Sequence, residues 1–271
     1  MRAVSSILGK FMRDRGTHLA AMVAYFALLA FVPLLFLALS LIALTGEQNE
    51  SSYLIEELQR AFPESSVDRL LSVVGSIRES AGTVGIIGGV GLLWSALGFF
   101  SVLESAFNIV YGRPNRSFVR GKALATLFMA GSIVSLFISL VVGSVGFDLL
   151  QRFLPGFTGN GIVAYALSVL VSTLAVFVFL VFAYERLTNA KLTLRQVWPG
   201  ALFAALGLQI SFQVLPLFVR LSRDVVALQA LGTTALLLVW LYVMANVIVF
   251  GAEVNWFLGS RREEPEIAGL A

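Results

Sequence analysis

"TTALLLVWLYVMANVIVFGAEVNWFLG", residues 233–259, decides the class of fold. It lies in a run free of charge from Val225 to Ala252 that ends at Glu253. A membrane helix needs about 20 predominantly apolar residues, so the run makes one span and is too short for two with a turn. Tyr242, Asn246, Val249 and Glu253 recur at i, i+4, i+7 and i+11 and so share one helix face, with Asn255 two residues on. Counted from near Leu231, about 20 residues of helix reach the hydrocarbon boundary near Phe250. Glu253 therefore sits close to an interface, where a carboxylate costs less than the roughly 2.5–3.5 kcal/mol charged at the bilayer centre.

Working outward, the other charge-free runs are Gly16–Gly46, Gly82–Leu103, Ala123–Phe147, Phe153–Tyr184 and Gln196–Val219. Each is long enough for one helix. The chain is 58% hydrophobic and 13% charged with a mean hydropathy of +0.88, far from the roughly 25% charged residues of a soluble domain. The expected fold is all-α: a single polytopic domain over residues 1–271 with six transmembrane helices near 19–45, 82–104, 122–147, 160–184, 197–219 and 229–256. The first run follows a basic segment, yet Leu19–Leu44 far exceeds the roughly 7–15 residues of a signal-peptide core, so it reads as a retained span.

Thirteen of the nineteen Lys and Arg residues fall on one side: the N-terminus, the 104–122 connector with Arg113, Arg116, Arg120 and Lys122, the Arg186–Arg195 connector and the C-terminal tail. The other side carries Glu47, Glu50, Glu56, Glu57, Glu64, Asp68 and Glu79. The positive-inside rule then expects both termini in the cytoplasm. Topology accounts for the pI of about 9.4, so no nucleic-acid partner is expected.

The one long loop, 47–81, holds Leu54, Leu58 and Phe62 before Pro63 and Val67, Leu70, Leu71, Val74 and Ile77 after it. Helical spacing on either side of a proline predicts two short amphipathic helices on the outer surface, either packed on the span ends or lying over the bundle mouth. Inside the membrane, Gly131, Ser135, Ser139 and Gly143 recur every four residues, and Gly85 pairs with Gly89. Such small faces let helix backbones approach closely, within one chain or between copies. Pro33 and Pro216 are candidate kinks. Trp94 and Trp240 fall mid-span, where each indole N–H needs an internal partner, and Gln209 and Gln213 are expected to bond across helices.

Glu104, Asn108 and Tyr111 repeat the polar i, i+4, i+7 pattern at the same expected depth as Glu253. Two carboxylates with amides nearby predict a polar cluster under the bundle, made of Glu104, Asn108, Tyr242, Asn246, Glu253 and Asn255, with Arg120, Lys122 and Arg186 as candidate cations. It is either a structural ion pair or snorkelling side chain, or a substrate or proton site at the cytoplasmic mouth. Catalytic chemistry finds no footing: the chain has no cysteine and one histidine, His18, and no nucleophile elbow, phosphate loop or zinc motif. No catalytic residue, metal site or cofactor is expected, and the chain is read as not an enzyme.

Four stretches resemble the YihY/BrkB family of bacterial inner-membrane proteins: "AAMVAYFALLAFVPLL", "LWSALGFFSVLESAFNIVYG", "WPGALFAA" and "WLYVMANVIVFGAEVN". Their order and spacing cover roughly Phe11 to Trp256, and the Tyr25/Pro33 pattern and "GAEVN" are the most specific parts. The resemblance implies six spans and roles in envelope integrity, serum resistance and the handling of lipid or lipopolysaccharide. Members have also carried the name ribonuclease BN, a misassignment with which the absence of a metal constellation agrees. The family pattern falls here on Tyr25, Pro33, Trp94, Asn108, Trp198, Trp240, Tyr242, Gly251, Glu253 and Asn255, and the match assigns them no individual roles.

Together these readings favour a transporter or lipid translocator of the bacterial inner membrane, not driven by ATP and acting in envelope biogenesis. Membrane lipids are its candidate substrates and a homo-oligomer its candidate assembly. The alternative is a scaffolding protein that organises envelope machinery without transport. A cavity bordered by Glu104 and Glu253 favours the first reading, and a dry bundle with its polar groups mutually bonded favours the second.

Overall fold

Every described element is helical, as hydrocarbon demands of a chain that must satisfy its own backbone. The computed structural model describes residues 2–45, 83–132, 161–222 and 226–268, with side-chain surroundings for 5–31, 93–132, 165–218 and 234–259. The elements are α1 (Arg2–Arg13), α2 (Gly16–Thr45), α3 (Thr83–Val110), α4 (118–132), α5 (Gly161–Leu187), α6 (Leu194–Ser222) and α7 (Val226–Ala268). Among the described residues four helical stretches are long and apolar enough to cross a membrane: Leu93–Val110, Tyr165–Leu187, Leu194–Phe218 and Thr234–Gly259. Gly16–Phe31 is a shorter apolar helix. The expected count of six reaches further than this, because most of the third expected span and the whole 47–81 loop lie outside the described residues, and the side-chain surroundings of the first span are described only as far as Phe31.

α7 is the hub. It packs along α6 and α2 and also meets α3 and α1, while α3 joins α2 to α5 and α5 lies on α6. The backbones of α6 and α7 approach closely. A Cβ on Gly200 would run into the carbonyl oxygen of Gly251, and one on Gly251 would lie 2.5 Å from Tyr184 Oη and 2.8 Å from Gly200 O. Ala201, Ala204 and Ala205 of α6 and Ala245 and Ala252 of α7 are buried around this crossing. Small residues thus set the helix spacing at this crossing, as membrane packing requires. Of the small residues the sequence singled out, Gly131 is exposed with open space where a Cβ would go, and Gly85 and Gly89 lie within α3. Ser135, Ser139 and Gly143 fall outside the described residues.

Local sequence explains the helix ends. Gly112 follows α3 with φ +60°, its N–H donating to Ile109 O at 3.0 Å and that of Arg113 to Asn108 O at 2.7 Å. That is a Schellman closure, for which glycine suits the left-handed residue. Thr193 and Gln196 make a capping pair at the start of α6, Thr193 N donating to Gln196 Oε1 at 2.9 Å. The corner between α1 and α2 turns on Arg15, whose φ of +54° is uncommon for a residue with a side chain. Pro33 and Pro216 lie within α2 and α6, which stay helical past them. The bundle turns Trp94 outward, 76% exposed, contrary to the expectation of an internal partner. Trp240 is buried against Phe218 at 5.2 Å, its Nε1 unpartnered.

Substituting Gly251→Ala is expected to lower stability by about 1–3 kcal/mol, the usual cost of overpacking, by pushing Tyr184 or α6 aside. Denaturant-induced unfolding in detergent measures it. Stability within a few tenths of wild type would show that the α6–α7 crossing tolerates the extra carbon.

Candidate functional site

The polar groups gather at one end of the bundle, where α3, α5 and the apolar part of α7 finish and α1 lies against them. Two buried carboxylates organise it. Glu253 is 0% exposed, and its partner is Lys10 of α1, Nζ lying 2.9 Å from Oε2. The ammonium stands at hydrogen-bond distance from Oε2, and Oε1 has no donor. Lys10, itself buried, also pairs with Asp14, donates to Val110 O at 2.7 Å and stands 4.3 Å from the centre of the Trp256 ring. One ammonium therefore serves a carboxylate, the negative end of α3 and an aromatic face, each favourable to a cation. Phe11 holds α1 in place, buried edge-on against Phe250 and pressed on Gly16.

Glu104 is the second carboxylate. Arg116 Nη1 donates to Glu104 Oε1 at 3.1 Å. The same guanidinium donates to Leu187 O, to Arg186 O at 3.1 Å and to Thr188 O at 2.9 Å, closing the C-terminus of α5. An arginine fork suits this multiple role better than a lysine. Between the two units, buried Asn108 accepts from Asn189 N at 2.6 Å and donates to Asn115 Oδ1 at 3.1 Å. Asn189 in turn donates to Pro114 O at 2.9 Å. These bonds stitch the 111–117 loop to the 188–193 loop.

The cations the sequence offered for the carboxylates are not the ones that meet them. Lys122 donates to Ser101 Oγ at 3.2 Å, Arg120 is exposed, and Arg186 stands 3.8 Å from Glu185. The reason is rotation: those side chains sit near the right depth but on other helix faces. The sequence signal that leads to Lys10 and Asp14 is the amphipathic α1, in which Val4, Ile7, Leu8 and Phe11 recur at i, i+3, i+4, i+7.

Asn255 joins the cluster from α7, its Oδ1 accepting from Gly200 N at 2.6 Å. Tyr184, fully buried against Phe107 at 4.9 Å, donates to Ile248 O at 2.7 Å. Tyr242 and Asn246 stand apart, half-buried further along α7, with Asn246 Nδ2 donating to Tyr242 O at 2.7 Å. Tyr25 and Trp198 are exposed, away from the ion pairs. Gln213 accepts from Tyr165 Oη at 2.6 Å and Gln209 from Ser172 Oγ at 3.4 Å, so this pair does bond across α5 and α6.

Two cavities adjoin these elements. The first, of about 630 Å³, lies at the polar end and is lined by Tyr111, Arg113, Arg116, Lys191, Asn255 and Trp256 among others. Neither Glu104 nor Glu253 reaches it. Burial, and then the Glu253 carboxylate, push the Tyr111 phenol well above its ordinary range, so it stays a neutral donor, and its oxygen has no partner. The second is an apolar groove of about 920 Å³ between α4 and α5, walled by Leu124, Leu127, Phe128, Leu174, Val178 and Phe182, with Arg186 on its border. Among the described residues no group of three or more His, Cys, Asp or Glu could hold a metal.

A family model described as Virulence factor BrkB matches residues 7–269. The ribonuclease-like protein YfkH of Bacillus subtilis is 24% identical over 98% of this chain and 98% of its own length. A UPF0761 membrane protein of Chromohalobacter salexigens is 27% identical over 97% of this chain, which spans 64% of that longer relative. Another from Pseudoalteromonas translucida is 25% identical over 94% of this chain and 85% of its own length. No solved structure matches.

Removing one member of the buried pair leaves an uncompensated charge. Lys10→Met is therefore expected to cost about 3–5 kcal/mol, and Lys10→Met with Glu253→Met distinctly less. A double-mutant cycle on unfolding in detergent reads the coupling. Additive losses would show that Lys10 and Glu253 do not depend on each other.

Proposed function

The chain belongs to the BrkB family of membrane proteins, and from that premise we propose that it carries an anionic lipid between leaflets of the bacterial inner membrane without ATP, in envelope biogenesis. The observation that carries this reading is the apolar groove between α4 and α5 with Arg186 on its border. An acyl chain has the chemistry of the Leu, Val and Phe walls, and a phosphate headgroup that of the guanidinium. Arg186 is exposed and only loosely matched by Glu185 at 3.8 Å, so redirecting it to a headgroup costs little. In this reading the basic end faces the cytoplasm, with both termini on that side. No catalytic step is proposed, and the ribonuclease-like name belongs to the Bacillus relative.

Glu104 and Glu253 enter the proposal as anchors. Both are closed in ion pairs and line neither cavity, so they have no place on a lipid path. Those closed pairs are also what a scaffolding protein would have, and scaffolding is the second reading. Neither cavity is bordered by Glu104 and Glu253, as the sequence reading asked of a transport path, so translocation takes precedence on the groove alone, whose apolar walls and bordering cation fit a lipid.

Gly131 offers a clean test, since a side chain there enters open space on the groove wall. With protein in liposomes, wild type is expected to move labelled phosphatidylglycerol between leaflets, and Gly131→Phe with Arg186→Gln to slow it severely without loss of thermal stability. Wild-type liposomes that move no more lipid than empty ones would sink the translocator and leave the scaffold.

A further inference from the structure

We propose that the cavity at the polar end is a binding site for a phosphate-bearing small molecule, gripped by Arg113 and Lys191 and oriented by Asn255 and Tyr111. The site is separate from the groove, and the inference does not rest on lipid translocation.

Charge is the first argument. Three cationic side chains line the cavity, and among its lining residues there is no carboxylate. Arg116 is committed, its charge matched by Glu104 and its donors spent on the carbonyls that end α5. Arg113 and Lys191 are not: both are exposed, and neither has an ion-pair partner among the described residues. Arg116 frames the wall while two uncommitted charges face the same space.

The second argument is the buried, unpartnered donors. Asn255 is 1% exposed and lines the cavity. Because Gly200 N donates to its Oδ1, the amide orientation is fixed and Nδ2 is left as a donor without an acceptor. A buried donor without a partner is costly, and a bound oxygen recovers that cost. Tyr111 Oη is in the same position, neutral and unpartnered on the same wall. Two separate cations and two neutral donors on one cavity lining match a doubly charged group with three acceptor oxygens, which a phosphate monoester supplies.

Size is the third. About 630 Å³ exceeds what inorganic phosphate fills and falls within the roughly 300–1,000 Å³ of small-molecule sites. Trp256 gives the organic part of the ligand a flat apolar wall, its ring already held by Lys10. The phosphate ester can be a soluble metabolite or a lipid headgroup reaching in from the membrane surface.

Isothermal titration of the full chain in neutral detergent tests this, with sn-glycerol 3-phosphate, dihexanoylphosphatidic acid and, at matched ionic strength, potassium chloride. Saturable binding of a phosphate ester but not of chloride is expected. Arg113→Gln with Lys191→Gln should weaken it roughly tenfold or more, while Arg120→Gln, outside the cavity, should leave it unchanged with equal thermal stability. Glycerol phosphate binding identifies a soluble source, and binding confined to the short-chain lipid identifies a headgroup. The proposal is overturned if neither ester binds, if chloride competes at matched concentration, or if the double variant binds as wild type does.

Discussion

A carboxylate with no access to water needs a cation, and the contact between Glu253 and Lys10 satisfies that need. Much of the polar end follows from it. Lys10 reaches the carboxylate only if α1 leaves the axis of α2, and the left-handed Arg15 lets the chain turn that corner. Phe11 then seats α1 against Phe250 and the start of α2, and Trp256 lies under the ammonium. Separating the two charges would expose a buried ion on each side, a penalty of several kcal/mol. A single contact thus holds the first helix to the last and to the end of α3.

Glu104 and Arg116 repeat the device, with α5 in place of α3 as the helix whose terminal carbonyls are closed. In both units one cation neutralises a carboxylate and a helix C-terminus together. With Asn108 bonding between them, the two loops at this end are braced from below. That bracing preforms the cavity above, and it separates cations already spent on the fold from those left over. The partition assigns Arg116 to architecture and leaves Arg113 and Lys191 for a ligand.

The relation of chain to relatives fits this division. The family match runs from the amphipathic α1 to the end of α7, so it includes the helix that supplies Lys10 and not the apolar spans alone. The stretches "WPGALFAA" and "GAEVN" are one contact in space, where Gly200 lies against Gly251 and Asn255 accepts from the Gly200 amide.

The sequence by itself determined the class of protein and the positions of the four membrane-length helices among the described residues, because hydrocarbon imposes a minimum apolar length and strict backbone pairing. It also placed Glu253, Asn255, Glu104 and Asn108 at one end, since depth follows from counting residues along a span. The bond of Gln209 and Gln213 across helices was legible for the same reason. What tertiary structure alone decided is rotation and neighbourhood: Lys10 and Arg116 as the partners in place of Arg120, Lys122 and Arg186, the outward face of Trp94, and the meeting of α6 and α7 on Gly200 and Gly251. A charge-free run says how far a helix goes through the membrane. It does not say which helix stands beside it, because lipid and protein interior are equally apolar and only packing distinguishes the faces.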